Sequence, residues 1–248
     1  MQYEALATLY DRMMCFVEYD EWAALIRRIT KRYGASREPE ILELGAGTGV
    51  VGSILRGLGY RYTGSDLSVM MCREANGKRG LPVCAADARY LPFKKQFGLA
   101  LFLYDGINYL LTLDDYRRLF ASVFDALLPG GLFLFDITTR GNSVRHFSNY
   151  LDFEDYGDLS YVRHSYFDYV KSIQHNDFTI YRRSAGDPRY YEKFTEEHAQ
   201  KVFSVSDIKR AIPKERFSVL GVWDGYTFQK YSGKSDRVHF LLEKNGGA

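Results

Sequence analysis

The chain has 248 residues, 46% hydrophobic and 26% charged, with 33 Lys and Arg against 31 Asp and Glu for a net charge of +2. That suits one large α/β domain with an embellishment, and it gives no overall pull toward nucleic acid. Cys15, Cys72 and Cys84 are scattered without metal-ligand spacing, no apolar run reaches the roughly 20 residues of a membrane span, and the acidic N-terminus MQYEALATLYDRMM is unlike a signal peptide, so no metal, no membrane and a cytoplasmic location are expected.

In chain order, Leu6, Leu9, Met13 and Val17, then Trp22, Leu25, Ile26 and Ile29, recur at helical spacing and predict two helices broken near Asp20, an N-terminal cap over residues 1–33. Next comes ILELGAGTGV, Ile41 to Val50, an apolar strand that turns through Gly45, Gly47 and Gly49 into a helix. A dinucleotide fingerprint would need glycine where Val50 stands, and the Glu43 carboxylate suits an ammonium better than a pyrophosphate. The alternating segment Tyr60 to Asp66 ends on an acid 21 residues after Gly45, where a carboxylate accepts from ribose hydroxyls. A third apolar strand, Leu81 to Ala86, precedes Asp87, which can accept from an exocyclic adenine amine.

Phe97 to Leu103 reads as a strand, and Thr112 with Asp115 has capping-box spacing for a helix carrying Tyr116, Leu119, Phe120, Val123 and Leu127. Pro129, Gly130 and Gly131 should stop it before a strand at Leu132 to Ile137. Strands alternating with helices predict a parallel sheet with right-handed crossovers. From Gly141 to Gln200 the pattern becomes extended and fits three antiparallel strands. Ser206 can cap a short helix before Pro213, and Phe217 to Val222 with Arg237 to Leu242 supply two last strands.

Ribose, adenine and amino-acid ammonium together describe S-adenosylmethionine. At the E-x-G-x-G-x-G loop, Asp66 and the Asp87-Ala88 pair, the chain resembles the class I S-adenosylmethionine-dependent methyltransferases, over roughly residues 38 to 140. The resemblance implies a doubly wound, seven-stranded, mainly parallel α/β sheet with a reversed last strand and an antiparallel β insertion after the fifth strand. The core would comprise 1–140 and 201–248, with 141–200 as a lid that chooses the substrate. It further implies that Gly45, Ala46 and Gly47 line the cofactor, that Asp66 holds the ribose with Leu67 and Met70 beside it, and that Asp87 and Ala88 hold the adenine. Tyr10 would reach the cofactor from the cap, as in small-molecule members with such a lid. For Glu43 two readings stand: a brace for the glycine loop or cap helix, or a group near the methionine ammonium.

The segment LFLYDGINYLLT lies just past the fourth strand, where open α/β sheets bind ligands. Its D-x-x-N-Y-L part resembles a loop of small-molecule N-methyltransferases, which makes Asp105, Asn108 and Tyr109 candidates for facing a substrate; the alternative is a loop stabilised by its own Asp and Asn. Tyr104 and Tyr10 can add cation–π attraction of about 0.5 to 2 kcal/mol near a sulfonium. His198 is the candidate to take a released proton, although an amine that arrives neutral needs no base, and no catalytic residue is assigned. Residues 141–200 hold seven Lys and Arg against ten Asp and Glu, which favours a small, cationic acceptor over RNA. The expected function is methyl transfer from S-adenosylmethionine to a small molecule, an amine above all. A tRNA or rRNA methyltransferase, given basic Lys209, Arg210, Lys214 and Arg216, and a non-catalytic S-adenosylmethionine-binding protein are the alternatives.

Overall fold

The computed structural model describes residues 3–34 and 39–246; residues 1–2, 35–38 and 247–248, at the edges of the expected cap, of the stretch carrying the resemblance and of the expected core, lie outside the described residues. A 3-10 turn at Leu6–Thr8 and helices α1 (Tyr10–Met13) and α2 (Tyr19–Tyr33) form the cap. Asp20, the expected break, stands in the first turn of α2, where its carboxylate favours the helix start; the break itself lies before Tyr19.

There follow β1 (Ile41–Leu44), α3 (Val50–Gly57), β2 (Tyr62–Asp66), α4 (Val69–Arg79), β3 (Val83–Ala85), β4 (Phe97–Phe102), α5 (Leu113–Ala126) and β5 (Leu127–Thr138). After the insertion come α7 (Val205–Ala211), β10 (Phe217–Asp224) and β11 (Arg237–Lys244). The seven-stranded sheet runs β10-β11-β5-β4-β1-β2-β3, with β1 to β5 parallel and β11 antiparallel between β5 and β10. All four residues of β1 are buried, as a strand covered on both faces requires. One face packs Phe120 of α5 and Ile208 of α7 against Phe133, Phe135 and Phe240; the other packs Trp22 and Ile26 of α2 and Leu55 of α3 against Leu99 and Leu134.

Thr112 caps α5 by accepting from the Asp115 amide. That helix ends at Ala126, and β5 begins at Leu127 and runs through Pro129-Gly130-Gly131 with a register shift against β4, instead of starting at Leu132. The cap of α7 is Ser204, two residues before the expected Ser206, with both halves of a capping box to Asp207.

The insertion opens with α6 (Arg140–His146) and holds four strands, β6 (Asn149–Asp155), β7 (Leu159–Asp168), β8 (Ile173–Arg183) and β9 (Tyr191–Lys201), in sequential antiparallel order. The unexpected strand is β6, an edge on which Leu151 and Phe153 are 66% and 71% exposed, so no apolar-inward alternation marks it. On β7, β8 and β9 one face is buried: Tyr161, Phe178, Ile180, Glu196, His198 and Gln200. Leu6, Leu9, Met13 and Met14 of the cap pack on Leu159, Tyr161, Phe178 and Ile180 of this sheet. The cap therefore packs directly on the sheet of the insertion. No helix among the described residues is long and apolar enough to cross a membrane.

Candidate functional site

The glycine loop leaves β1 with Gly45 at φ +60 and Gly47 at φ +56, a left-handed backbone that side chains resist. A Cβ on Gly45 would meet the Phe102 ring at 2.8 Å, whereas one on Gly47 meets nothing within 4 Å, so the loop is open on that side. Asp11 of α1 ties the cap to this loop, accepting from Thr48 Oγ1 at 2.5 Å and from Arg79 at 2.9 Å.

Asp66, at the end of β2, accepts from the Gly47 amide through Oδ2 and from the Ser68 amide through Oδ1, both at 2.8 Å. Burial raises its pKa and the two amides oppose the rise. Each oxygen keeps a lone pair for a hydroxyl. Glu43 is 4% exposed and accepts from the Tyr62 phenol at 2.5 Å; among the described residues no cationic side chain pairs with it. Burial pushes it up to about 8, with the Tyr62 bond opposing.

Tyr10, Glu43, Gly45, Ala46, Gly47 and Tyr104 share one cleft of about 50 Å³ at the carboxyl ends of β1 and β4. A wider depression of about 560 Å³, bounded by Arg56, Arg61 and Pro82, lies at the amino ends of β2 and β3. Ligands of open α/β sheets bind at the carboxyl ends, so the narrow cleft is the candidate site. Leu67 is 67% exposed and Met70 half-buried beyond Asp66, and neither lines that cleft.

Asp87 caps the 3-10 turn Ala88–Tyr90 and is gripped by Arg89 through its backbone amide and guanidinium, with Arg89 reaching on to Asp115 at 2.7 Å. Partial burial would raise Asp87, but the Arg89 bonds outweigh it and hold the carboxyl below its usual range. An adenine amine has to compete with Arg89 there. Ala88 packs against the α5 side of the core.

Past β4, Tyr104 and Asp105 are consecutive residues with positive φ, +58 and +52. The Arg237 guanidinium lies 4.7 Å from the Tyr104 ring centre, pairs with Asp105 at 2.6 Å and also bonds Asp136. Gln200 of β9 donates to Asp105 at 3.2 Å. Asp136 is fully buried; burial pushes it up to about 6 against the pull of Arg237. Asp105 is thus engaged on several sides. Asn108 departs further from its expected role: it is fully buried, donates to the Lys201 carbonyl at 2.8 Å and accepts from the Thr138 amide at 3.1 Å, a tether between the loop, β5 and β9 and not a wall of the cleft.

Tyr109 and His198 meet, phenol to Nδ1 at 3.1 Å, and the same phenol lies 2.5 Å from that of Tyr3. His198 is 2% exposed, with Nε2 at 3.1 Å from Glu196. Glu196 also accepts from the amides of Tyr3, Ala5 and Leu6 at 2.7, 2.6 and 3.0 Å. Tyr3 is held at its carbonyl by Ser68 Oγ, 3.2 Å away and two residues past Asp66 in the chain. Tyr3, Asp11 and Glu196 escaped the sequence reading; the one available signal was Glu196 two residues before His198, which puts both on one face of a strand.

The profile of a methyltransferase-domain family matches residues 41–131. A provisionally named methyltransferase of Geobacillus sp. (strain WCH70) is 28% identical over 98% of this chain and 100% of its own. Among solved structures, an S-adenosylmethionine-dependent methyltransferase from Clostridium acetobutylicum superposes with a TM-score of 0.81 at 25% identity, covering 99% of each chain. The sugar N-methyltransferase KedS8 of Streptoalloteichus has a TM-score of 0.78 at 17% identity, covering 96% of this chain and 92% of that one. The likeness is continuous from cap to last strand: the chain carries a methyltransferase domain on the fold of the class I S-adenosylmethionine-dependent methyltransferases.

Proposed function

We propose that the enzyme methylates a small molecule, above all an amine, and that Glu43, Gly45, Gly47 and Asp66 hold the cofactor. The buried Glu43 carboxylate lacks a cation, which an amino-acid ammonium would supply; the free lone pairs of Asp66 suit ribose hydroxyls. When bound, the cofactor supplies an electrophilic methyl on a sulfonium. The protein aligns the nucleophile with it and excludes water. A cleft of about 50 Å³ is far below the roughly 300 to 1,000 Å³ of ligand sites, so the cap segment bearing Tyr3 and Tyr10 moves to admit the cofactor.

The observation that carries the acceptor class is the balance of charge beside Tyr104: two carboxylates, Asp105 and Asp136, share one guanidinium, Arg237. Neither carboxylate lines the cleft, but together with an insertion in which acids outnumber bases their field favours a cation. The name of KedS8, a sugar N-methyltransferase, agrees with that class.

The test is methyl incorporation from labelled S-adenosylmethionine into a panel of amines, amino sugars, carboxylates, phenols and bulk tRNA. Amines should accept, with little dependence on salt. Labelling of tRNA alone, falling steeply with salt and with replacement of Lys209, Arg210, Lys214 or Arg216, would decide for nucleic acid.

A further inference from the structure

Four side chains from three separate parts of the fold form one hydrogen-bonded chain: Tyr3 of the cap, Tyr109 of the loop past β4, and His198 and Glu196 of the lid sheet. The direction of its protons follows from the Glu196 end. That carboxyl receives three backbone amides besides the imidazole, and although burial would raise it, the His198 bond and the amides outweigh burial and hold it below its usual range. An ionised carboxylate only accepts, so His198 carries its hydrogen on Nε2. A neutral imidazole then presents a lone pair at Nδ1, which takes the Tyr109 hydrogen. The Tyr109 oxygen in turn takes the hydrogen of Tyr3, whose own oxygen keeps a lone pair for a further donor.

Tyr3 adjoins the candidate site through one neighbouring ring. The Tyr3 ring packs edge-on against Tyr10, 5.7 Å between centres, and Tyr10 lines the cofactor cleft. From these contacts we infer that Tyr3, Tyr109, His198 and Glu196 are a proton path that deprotonates the acceptor, with Tyr3 touching it and the other three acting through Tyr3. The inference rests on the proposed transfer to a protic small molecule and names how that acceptor is activated.

The step balances. An acceptor bound as ammonium gives its proton to Tyr3 Oη as the Tyr3 hydrogen passes to Tyr109 and the Tyr109 hydrogen to His198 Nδ1. The freed nitrogen lone pair forms the new C–N bond while the S–C bond breaks and its electrons stay on sulfur. The imidazolium left beside Glu196 returns its proton to water when the site opens. Burial raises both phenols above their ordinary value, with their mutual contact a further cause at Tyr3, so they transmit a proton and stay neutral. Other groups facing the path are Phe178, 5.5 Å from the His198 ring, Asn176 opposite His198 on β8, and the Asp66 and Asp105 carboxylates, whose fields reach Tyr3. The logic is that of a serine-histidine-aspartate triad with a phenol in the place of the hydroxyl.

Two measurements test it. Nitrogen NMR of the full chain with labelled histidine and S-adenosylhomocysteine, assigned through His198→Gln, should find His198 protonated at Nε2 with Nδ1 accepting a hydrogen bond that Tyr109→Phe removes. The opposite tautomer overturns the path whether or not any acceptor is known. With an acceptor from the panel, Tyr3→Phe and His198→Gln should each lower kcat about 100-fold, leave cofactor affinity within about twofold, and convert the pH profile into a rise of about tenfold per unit. Glu196→Gln, whose one oxygen can still accept from the Ala5 and Leu6 amides but which cannot stabilise an imidazolium, should give the same profile if His198→Gln fails to fold. Variants that lose cofactor affinity but keep the parent pH profile would show Tyr3 to be a strap only. Acceptors confined to tRNA would overturn the small-molecule reading while the tautomer result still decides the path.

Discussion

Asp66 and Glu196 are both buried carboxylates that accept backbone amides, but they gather their partners at different distances along the chain. Asp66 binds amides 19 and 2 residues away, inside one β-α-β unit. Glu196 binds amides 190 to 193 residues away, besides an imidazole on its own strand. The first arrangement forms as soon as its strand and loop form. The second exists only once cap, insertion sheet and core loop have met. The Asp66 arrangement is local to one unit of the chain, and the Glu196 arrangement joins three distant ones.

The strongest way to break that contrast is at Arg237, which joins core and insertion sheet through Asp105, Asp136 and the Gln200 contact. Arg237→Met leaves two carboxylates uncompensated, one of them fully buried, and should cost about 3 to 5 kcal/mol in urea unfolding. Next comes Asp66→Ala, which removes hydrogen bonds to a charged group worth about 1.5 to 3 kcal/mol each and should weaken cofactor binding roughly tenfold or more by calorimetry. Equal affinity in the variant would dismiss the ribose role. Glu196→Ala should act elsewhere: amide exchange over Tyr3 to Leu9 accelerates about tenfold or more while the core strands keep their protection. Uniform acceleration would mean that cap and core are one cooperative unit.

A further effect is a matter of pH. Glu43 has an ordinary value of 4.5 and is pushed to about 8 by burial in the fold. Between those values the folded chain holds a proton that the unfolded chain has lost, so stability falls as pH rises through this window, and Glu43→Gln should remove that slope of at most about 1.4 kcal/mol per unit. An ammonium placed beside Glu43 ionises it. Cofactor binding should therefore release about one proton at pH 7 and almost none above about pH 9, read from calorimetry in buffers of different ionisation enthalpy. No release at pH 7 would put the ammonium elsewhere.

These contrasts also explain what could be read from the sequence. The glycine loop, the acid ending β2 and the Thr112 cap are short-range arrangements whose residue types have few other uses, and the strand order follows from their alternation with helices. Where short-range signals compete, the reading slipped. Ser206 and Ser204 both offer a cap, and only the reciprocal bond with Asp207 selects Ser204. Asp87 has a rival for any adenine in Arg89, two residues on. Asn108 satisfies its amide on Lys201 and Thr138, and Glu196 on the cap, partners that no local pattern announces. β6 hides because its apolar side chains face outward.

The paired positive φ angles at Tyr104 and Asp105 have a bearing on protein engineering. Tyr pays for this conformation more than Asp does, and strain of this kind is of order 1 to 3 kcal/mol per residue. Glycine at either position would relax the backbone, yet it would also strip away the ring over Arg237 or the counter-charge beside it. A library sorted only for heat tolerance would thus weigh backbone relief against the ion cluster at the same two codons. Survivors should leave this turn untouched and collect their substitutions on exposed helix and strand positions such as the outer face of β6.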